Sequence, residues 1–115
     1  MPYKKIHAVV KETTLDRVKE QLQEMHVHNL TVAHVKGYGE HDEFFAFQSS
    51  HRYAWIEIFC ETARADAIAQ AIMETAHTGQ PGDGVVAVLP IETMYRIRRK
   101  AEARPEDFRD RPSRE

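Results

Sequence analysis

The chain has 115 residues, 42% of them hydrophobic and 30% charged, with a net charge of −2. That length fits one domain with its own core, and the near-neutral balance supplies no field that draws it to nucleic acid. No apolar run approaches the roughly 18 residues of a membrane span, and the single cysteine, Cys60, excludes an internal disulfide framework and agrees with a cytoplasmic setting.

The N-terminal residues lead into an alternating segment rather than a signal peptide. Ile6, Ala8 and Val10 alternate with His7, Val9 and Lys11, which predicts a strand with one more buried face. Thr13 or Thr14 is positioned to cap a helix whose apolar stripe is Leu15, Val18, Leu22 and Met25. His26 to Asn29 reads as a loop. Leu30 to Val35 is a second strand of β-branched character, ended by Gly37-Tyr38-Gly39. A polar stretch from Glu40 to Ser50 follows, with Phe44, Phe45 and Phe47 embedded in it. Trp55 to Cys60 is a third strand. Ala63 to Ala76 is a second helix with Ile68, Ile72 and Met73 inward. Val85 to Leu89 is a fourth strand, which Pro90 is expected to end. From Ala101 onward the chain mixes Arg with Asp and Glu and holds Pro105 and Pro112, so residues 101–115 read as a charged, mobile tail after a domain of residues 1–100.

The two halves echo each other. A strand, Lys11-Glu12-Thr13 and a helix are matched by a strand, Cys60-Glu61-Thr62 and a helix. A repeated strand–helix–strand unit is the split βαβ, or ferredoxin-like, α+β architecture: a four-stranded antiparallel sheet with both helices on one face. The other face then needs cover, and in a small chain another subunit is the natural cover.

Two further features carry chemistry. Thr78-Gly79-Gln80-Pro81-Gly82-Asp83-Gly84 is a turn whose backbone can lie close to a ligand and whose N–H groups can converge on an anion. Arg96 and Arg98 are spaced to point the same way in an extended segment, as guanidinium forks for phosphate. The plainer reading is a tight turn before a strand and a basic surface stretch.

With these motifs in order, the chain resembles the PII nitrogen-regulatory signal proteins from about Lys4 to Arg99. The resemblance is carried by Lys4-Lys5-Ile6, Leu15-Asp16 with Val18, Thr31-Val32 with Val35-Lys36-Gly37-Tyr38-Gly39, Ile56-Glu57-Ile58, Thr78-Gly79 with Gly82-Asp83-Gly84, and Arg96-Ile97-Arg98. It implies a homotrimer with adenine nucleotides in the clefts between subunits, and a T-loop, here about residues 38–53, that docks on a target. Val9, Thr31, Glu57 and Phe59 would surround the adenosine, with Thr78 beside them. Gly37, Gly39, Gly82, Asp83 and Gly84 would frame the phosphates, and Arg96 and Arg98 would reach in from the neighbouring subunit. The family is regulatory, not enzymatic.

Departures from the family pattern are equally specific. The lysine expected directly after the last glycine of the loop is Val85, and the arginine expected after Gly39 is Glu40. Losing cations there weakens the hold on the most charged ligand most, so ADP or AMP is expected to compete well with ATP. The position of a metal-ligating glutamine is His41, and the lysine for 2-oxoglutarate falls near Arg52 or Tyr53, so 2-oxoglutarate sensing is not expected. These changes point to a PII-like branch similar to proteins encoded beside membrane transporters, including bicarbonate transporters and carboxysome clusters. Bicarbonate as a second ligand follows from that resemblance alone. The alternatives are a 2-oxoglutarate- and ATP-responsive nitrogen regulator, and a metal-responsive trimer of the CutA type.

Phe44, Phe45 and Phe47 are either a partner-docking element or aromatics tucked back on the sheet. His41 and His51 are the best candidates for a metal site, and no third ligand in a familiar spacing joins them. His7, His34 and His77 read as strand or surface residues. Cys60 reads as a buried small hydrophobe, and Asp83 as a carboxylate that orders its own loop.

Overall fold

The computed structural model describes residues 1–37 and 51–108. Among the described residues, strands and helices follow in this order: β1 (Tyr3–Lys11), α1 (Leu15–Glu24), β2 (Leu30–Gly37), β3 (His51–Glu61), α2 (Thr62–Ala76), β4 (Gly84–Ile91), β5 (Tyr95–Arg96) and β6 (Ala101–Glu102). Strands β2-β3-β1-β4 form one sheet in that order, antiparallel throughout. This is the double βαβ arrangement expected from the repeat.

The alternation in β1 decides which side of the sheet becomes the core. Ile6, Ala8 and Val10 are buried, and their neighbours Ile56, Ile58 and Ala54 on β3 are buried with them. Both helices cover this face. α1 contributes Leu15, Val18 and Leu22, and α2 contributes Ala65, Ile68, Ile72 and Ala76. Met73 lies one residue off that stripe and is 58% exposed, so it is not the inward residue its hydrophobicity predicts.

Chain ends of the helices explain several polar residues. Thr14 precedes α1, yet its hydroxyl donates to the Lys11 carbonyl at 2.9 Å and caps no helical N–H. A single turn of tight helix, Glu12–Thr14, bridges β1 and α1 instead. Past the other end, His26 takes a left-handed φ of 62°. Its N–H donates to the Gln23 carbonyl at 3.0 Å, and that of Val27 to Leu22 at 3.0 Å. This paired closure is a Schellman ending, so His26 terminates a helix and Val27 is buried beside it. Thr62 starts α2 and holds the N-terminus: its N–H donates to the Pro2 carbonyl at 2.9 Å and its hydroxyl to that of Met1 at 2.6 Å.

Strand limits differ from the sequence expectation where sheet pairing overrides local signals. β3 begins at His51, so His51, Arg52 and Tyr53 belong to the sheet rather than to the T-loop. β4 runs through Pro90 to Ile91 because it is an edge strand, and only one side of it carries ladder bonds.

The expected mobile tail is also corrected in part. β5 and β6 pair as a short hairpin, and a helical turn follows at Pro105–Phe108. The Phe108 ring lies 5.0 Å from that of Tyr3, and the Tyr3 hydroxyl donates to the Ala103 carbonyl at 3.1 Å. Two aromatic rings thus compensate for the polar composition. Residues 109–115 lie outside the described residues.

Gly84 joins the glycine turn to β4 with φ of 104°, and a Cβ built there lies 1.7 Å from the Val9 carbonyl oxygen. Gly79 has φ of 85° but open space around it, with His77 no nearer than 3.8 Å. In chemical denaturation Gly84→Ala is expected to cost more than about 3 kcal/mol, and Gly79→Ala about 1 kcal/mol. Equal losses would contradict the close approach of the turn to β1.

Candidate functional site

Among the described residues no helix lies over one face of the sheet. By strand parity it carries Lys5, His7, Val9 and Lys11 of β1, together with Thr31, Ala33 and Val35 of β2. Trp55, Glu57 and Phe59 of β3 and Val85, Ala87 and Leu89 of β4 complete it. The four residues expected around an adenosine, Val9, Thr31, Glu57 and Phe59, therefore share this face. They meet a polar network: the Lys5 ammonium lies 3.3 Å from the Glu57 carboxylate, and the His7 ring 3.8 Å. The Trp55 indole N–H donates to the His7 ring. Trp55 and Phe59 are 44% and 38% exposed, so the same face also offers aromatic surface.

The turn between α2 and β4 is organised by Asp83. Its carboxylate accepts from the N–H of Thr78 at 2.8 Å and of Gly79 at 2.9 Å, and from the Thr78 hydroxyl. The Thr78 hydroxyl bond, then these N–H groups, hold the carboxyl far below the usual carboxylate range. The Gln80 N–H donates to Thr78 Oγ1 at 3.2 Å. The N–H groups of Thr78 and Gly79, in a turn expected to offer its donors to an external anion, are taken by the loop's own carboxylate.

Lys11 is the residue that sequence reasoning missed. It closes β1, and its Nζ lies 3.3 Å from Asp83 and 3.4 Å from the Thr78 hydroxyl. Val10 pairs with Gly84 across β1 and β4, which brings the next residue to the loop. Its place as the last residue of the alternating run, on the polar parity of the strand, was the available signal. Val85 carries no charge, pairs with Val9 and is 64% exposed. A cleft of about 180 Å³ beside the turn is lined by Val10, Met73, Ala76, Asp83, Gly84 and Val86, among others.

Gly37 ends β2 at the same end of the sheet as Lys11 and Gly84. Yet β2 and β4 are opposite edges. Three strand spacings of about 4.8 Å separate them by about 14 Å. Thr31 and Gly37 thus stand at one edge and the Thr78–Gly84 turn at the other.

Arg96 and Arg98 do not form the extended pair expected. Arg96 ends β5, while Arg98 lies in a tight helical turn, Ile97–Arg99, which rotates its side chain out of register. Arg96 Nε is 4.0 Å from the Asp107 carboxylate. Gly39, His41, Phe44, Phe45 and Phe47 lie outside the described residues, as does the side chain of His51. Among the described residues no three His, Cys, Asp or Glu side chains are grouped to hold a metal ion. His34 pairs with Glu12 at 2.7 Å. Cys60 is buried, and burial pushes its thiol pKa up. No helix among the described residues is long and apolar enough to cross a membrane.

The fold and the turn define a double βαβ protein with a carboxylate-locked glycine loop at the end of an exposed sheet face. A family model described as nitrogen regulatory protein P-II matches residues 3–101. Curated relatives with that name include those of Azospirillum brasilense and Rhodospirillum rubrum, each 35% identical, and of Rhizobium meliloti, 34% identical. Each alignment covers 83% of this chain and 91% of the relative. The chain belongs to the nitrogen regulatory protein P-II family, a family of regulatory signal proteins.

Because the Asp83 pKa is lowered, its bonds stabilise the turn above the unfolded value of about 3.9 and are lost as pH falls through the folded value. The turn is therefore expected to keep its order from pH 8 down to about pH 4. Asp83→Asn should speed amide exchange at Thr78 and Gly79 at neutral pH, relative to β1 amides. Unchanged exchange in that variant would remove Asp83 as the organiser of the turn.

Proposed function

We propose that this chain is an adenylate-sensing PII-type regulator, acting as a homotrimer in the cytoplasm. Adenine nucleotide binds between subunits, where the Thr78–Gly84 edge of one copy faces the Thr31–Gly37 edge of the next. The observation that carries this reading is the separation of Thr31 and Gly37, on one edge of the sheet, from the Thr78–Gly84 turn at the opposite edge. A second copy brings the two groups together. Val9, Phe59 and Trp55 supply apolar wall for a base. Gly82 to Gly84 and Lys11 face the phosphates, and Arg96 and Arg98 add guanidinium donors.

The charge balance at the loop favours ligands with fewer phosphates. Lys11 is partly neutralised by Asp83, and Val85 offers no cation. ADP and AMP are thus held at least comparably to ATP. Ligand occupancy shifts the population of the segment 38–50, which docks on the target through Phe44, Phe45 and Phe47. That target is a bicarbonate or other inorganic-carbon transporter or a related carbon-metabolism protein, and bicarbonate is the second effector. The names of the relatives favour a second reading, a nitrogen regulator, for which the response expected from the family resemblance is to ATP and 2-oxoglutarate.

Calorimetry with ATP, ADP and AMP, each with and without bicarbonate or 2-oxoglutarate, separates these readings. The expected result is ADP or AMP binding at least as tightly as ATP, with bicarbonate alone altering the affinity. Tightest binding of ATP, strengthened by 2-oxoglutarate, would establish the second reading. Arg96→Ala with Arg98→Ala should abolish nucleotide binding while sedimentation still reports a trimer. Unaltered affinity in that double variant would sink the site assignment.

A further inference from the structure

The segment after β6 places a carboxylate against Arg96 of β5 and Arg99 of the turn that follows it. Asp107 is 9% exposed, and its Oδ2 accepts from Arg99 Nη2 at 2.7 Å and from the Arg104 N–H at 2.8 Å. These bonds keep the carboxyl pKa low, the Arg104 N–H first and then Arg99, so it is ionised at neutral pH. The turn that carries Asp107 is itself anchored. Phe108 seats on Tyr3, and the Ala103 N–H donates to the Met94 carbonyl at 2.8 Å.

We infer that Asp107 is a positioning residue for Arg96: its charge, 4.0 Å from Nε, draws that guanidinium from one side without a hydrogen bond and leaves the terminal fork to receive an anionic phosphate. Nε of Arg96 faces Asp107 Oδ2 at 4.0 Å, while the Arg96 side chain is 41% exposed. A carboxylate on Nε biases the plane of the guanidinium without occupying its two Nη groups. Because Asp107 already binds two other donors and is nearly buried, it cannot swing to follow Arg96 and serves as a fixed reference. Arg98, exposed and without a side-chain ion pair among the described residues, has no such guide. The two arginines are therefore unequal: Arg96 is pre-set, and Arg98 orders only on the ligand, at an entropy cost.

The inference rests on the nucleotide reading above and extends it to a residue outside the sheet. Titrations of the full chain with ATP, ADP and adenosine test it on Asp107→Asn and Asp107→Glu. Asp107→Asn is expected to weaken ATP and ADP by up to about fivefold and to leave adenosine unchanged. In an Arg96→Ala background the same change should have no further effect. Asp107→Glu keeps the charge and should bind more tightly than Asp107→Asn. If the Asn variant does not fold, the Glu variant still decides: the displaced carboxylate should weaken ATP more than adenosine. Equal or tighter ATP binding in the folded variants would overturn the inference, as would a matching loss for adenosine or full additivity with Arg96→Ala. A wild-type chain that binds none of these ligands removes the nucleotide reading and this inference with it. Wild-type binding with an unaltered Asp107→Asn removes the inference alone.

Discussion

Strand β1 is paired on both sides, and the alternation of its side chains sets the rest of the molecule in place. Ile6, Ala8 and Val10 commit one face of the sheet to the helices. The opposite parity is thereby committed to the face away from both helices, and Lys5, His7, Val9 and Lys11 must stand there. A slip of one residue would exchange the two sets and bury Lys5, His7 and Lys11 without partners, which no plausible pairing would offset. The register is thus enforced by the cost of burying charge as much as by the gain of burying isoleucine. Candidate ligands on β2 and β3 inherit their direction from the same ladder.

Where β1 ends, the glycine turn comes closest to it. Gly84 leaves no room for a Cβ beside the Val9 carbonyl, so the turn is pressed onto the strand and Lys11 reaches Asp83. The result is a loop with its own internal anion. Asp83 consumes donors that a phosphate would otherwise use, and in exchange the turn holds its shape without ligand. In the proposed nucleotide reading, pre-organisation of this kind lowers the ordering cost of binding, and the added negative charge discriminates against highly charged ligands. Lys11 sits between these effects as a counter-charge shared by the loop and any incoming anion.

The C-terminal residues show how a polar sequence can still be ordered. Arg99, Arg104 and Asp107 satisfy one another, and two aromatic rings, Tyr3 and Phe108, supply the apolar contact. Burial and the nearby acidic groups raise the Tyr3 pKa, so its hydroxyl stays protonated and able to donate to Ala103. The hairpin that carries Arg96 is in this way tied to the first residues of β1, linking a candidate ligand group to the centre of the sheet.

Local periodicity was sufficient for the two helices, the four main strands, the core residues Ile6, Ala8, Val10, Ile68 and Ile72, and the double βαβ order. Each of these depends on nearest-neighbour chemistry that is written in spacing. The glycine turn was legible too, since three glycines have few other uses. What local sequence did not reveal depends on partners distant along the chain. Pro90 lies inside β4 because the strand turned out to be an edge. Met73 is exposed because the stripe of α2 is set by what it packs on. Lys11 meets Asp83, and Asp107 meets Arg96 and Arg99, only once β1, β4 and the terminal hairpin are assembled. The sequence by itself determined the elements and the face each side chain takes; the tertiary structure alone decided which charges meet, because ion pairing depends on distance in space and leaves no period in the chain.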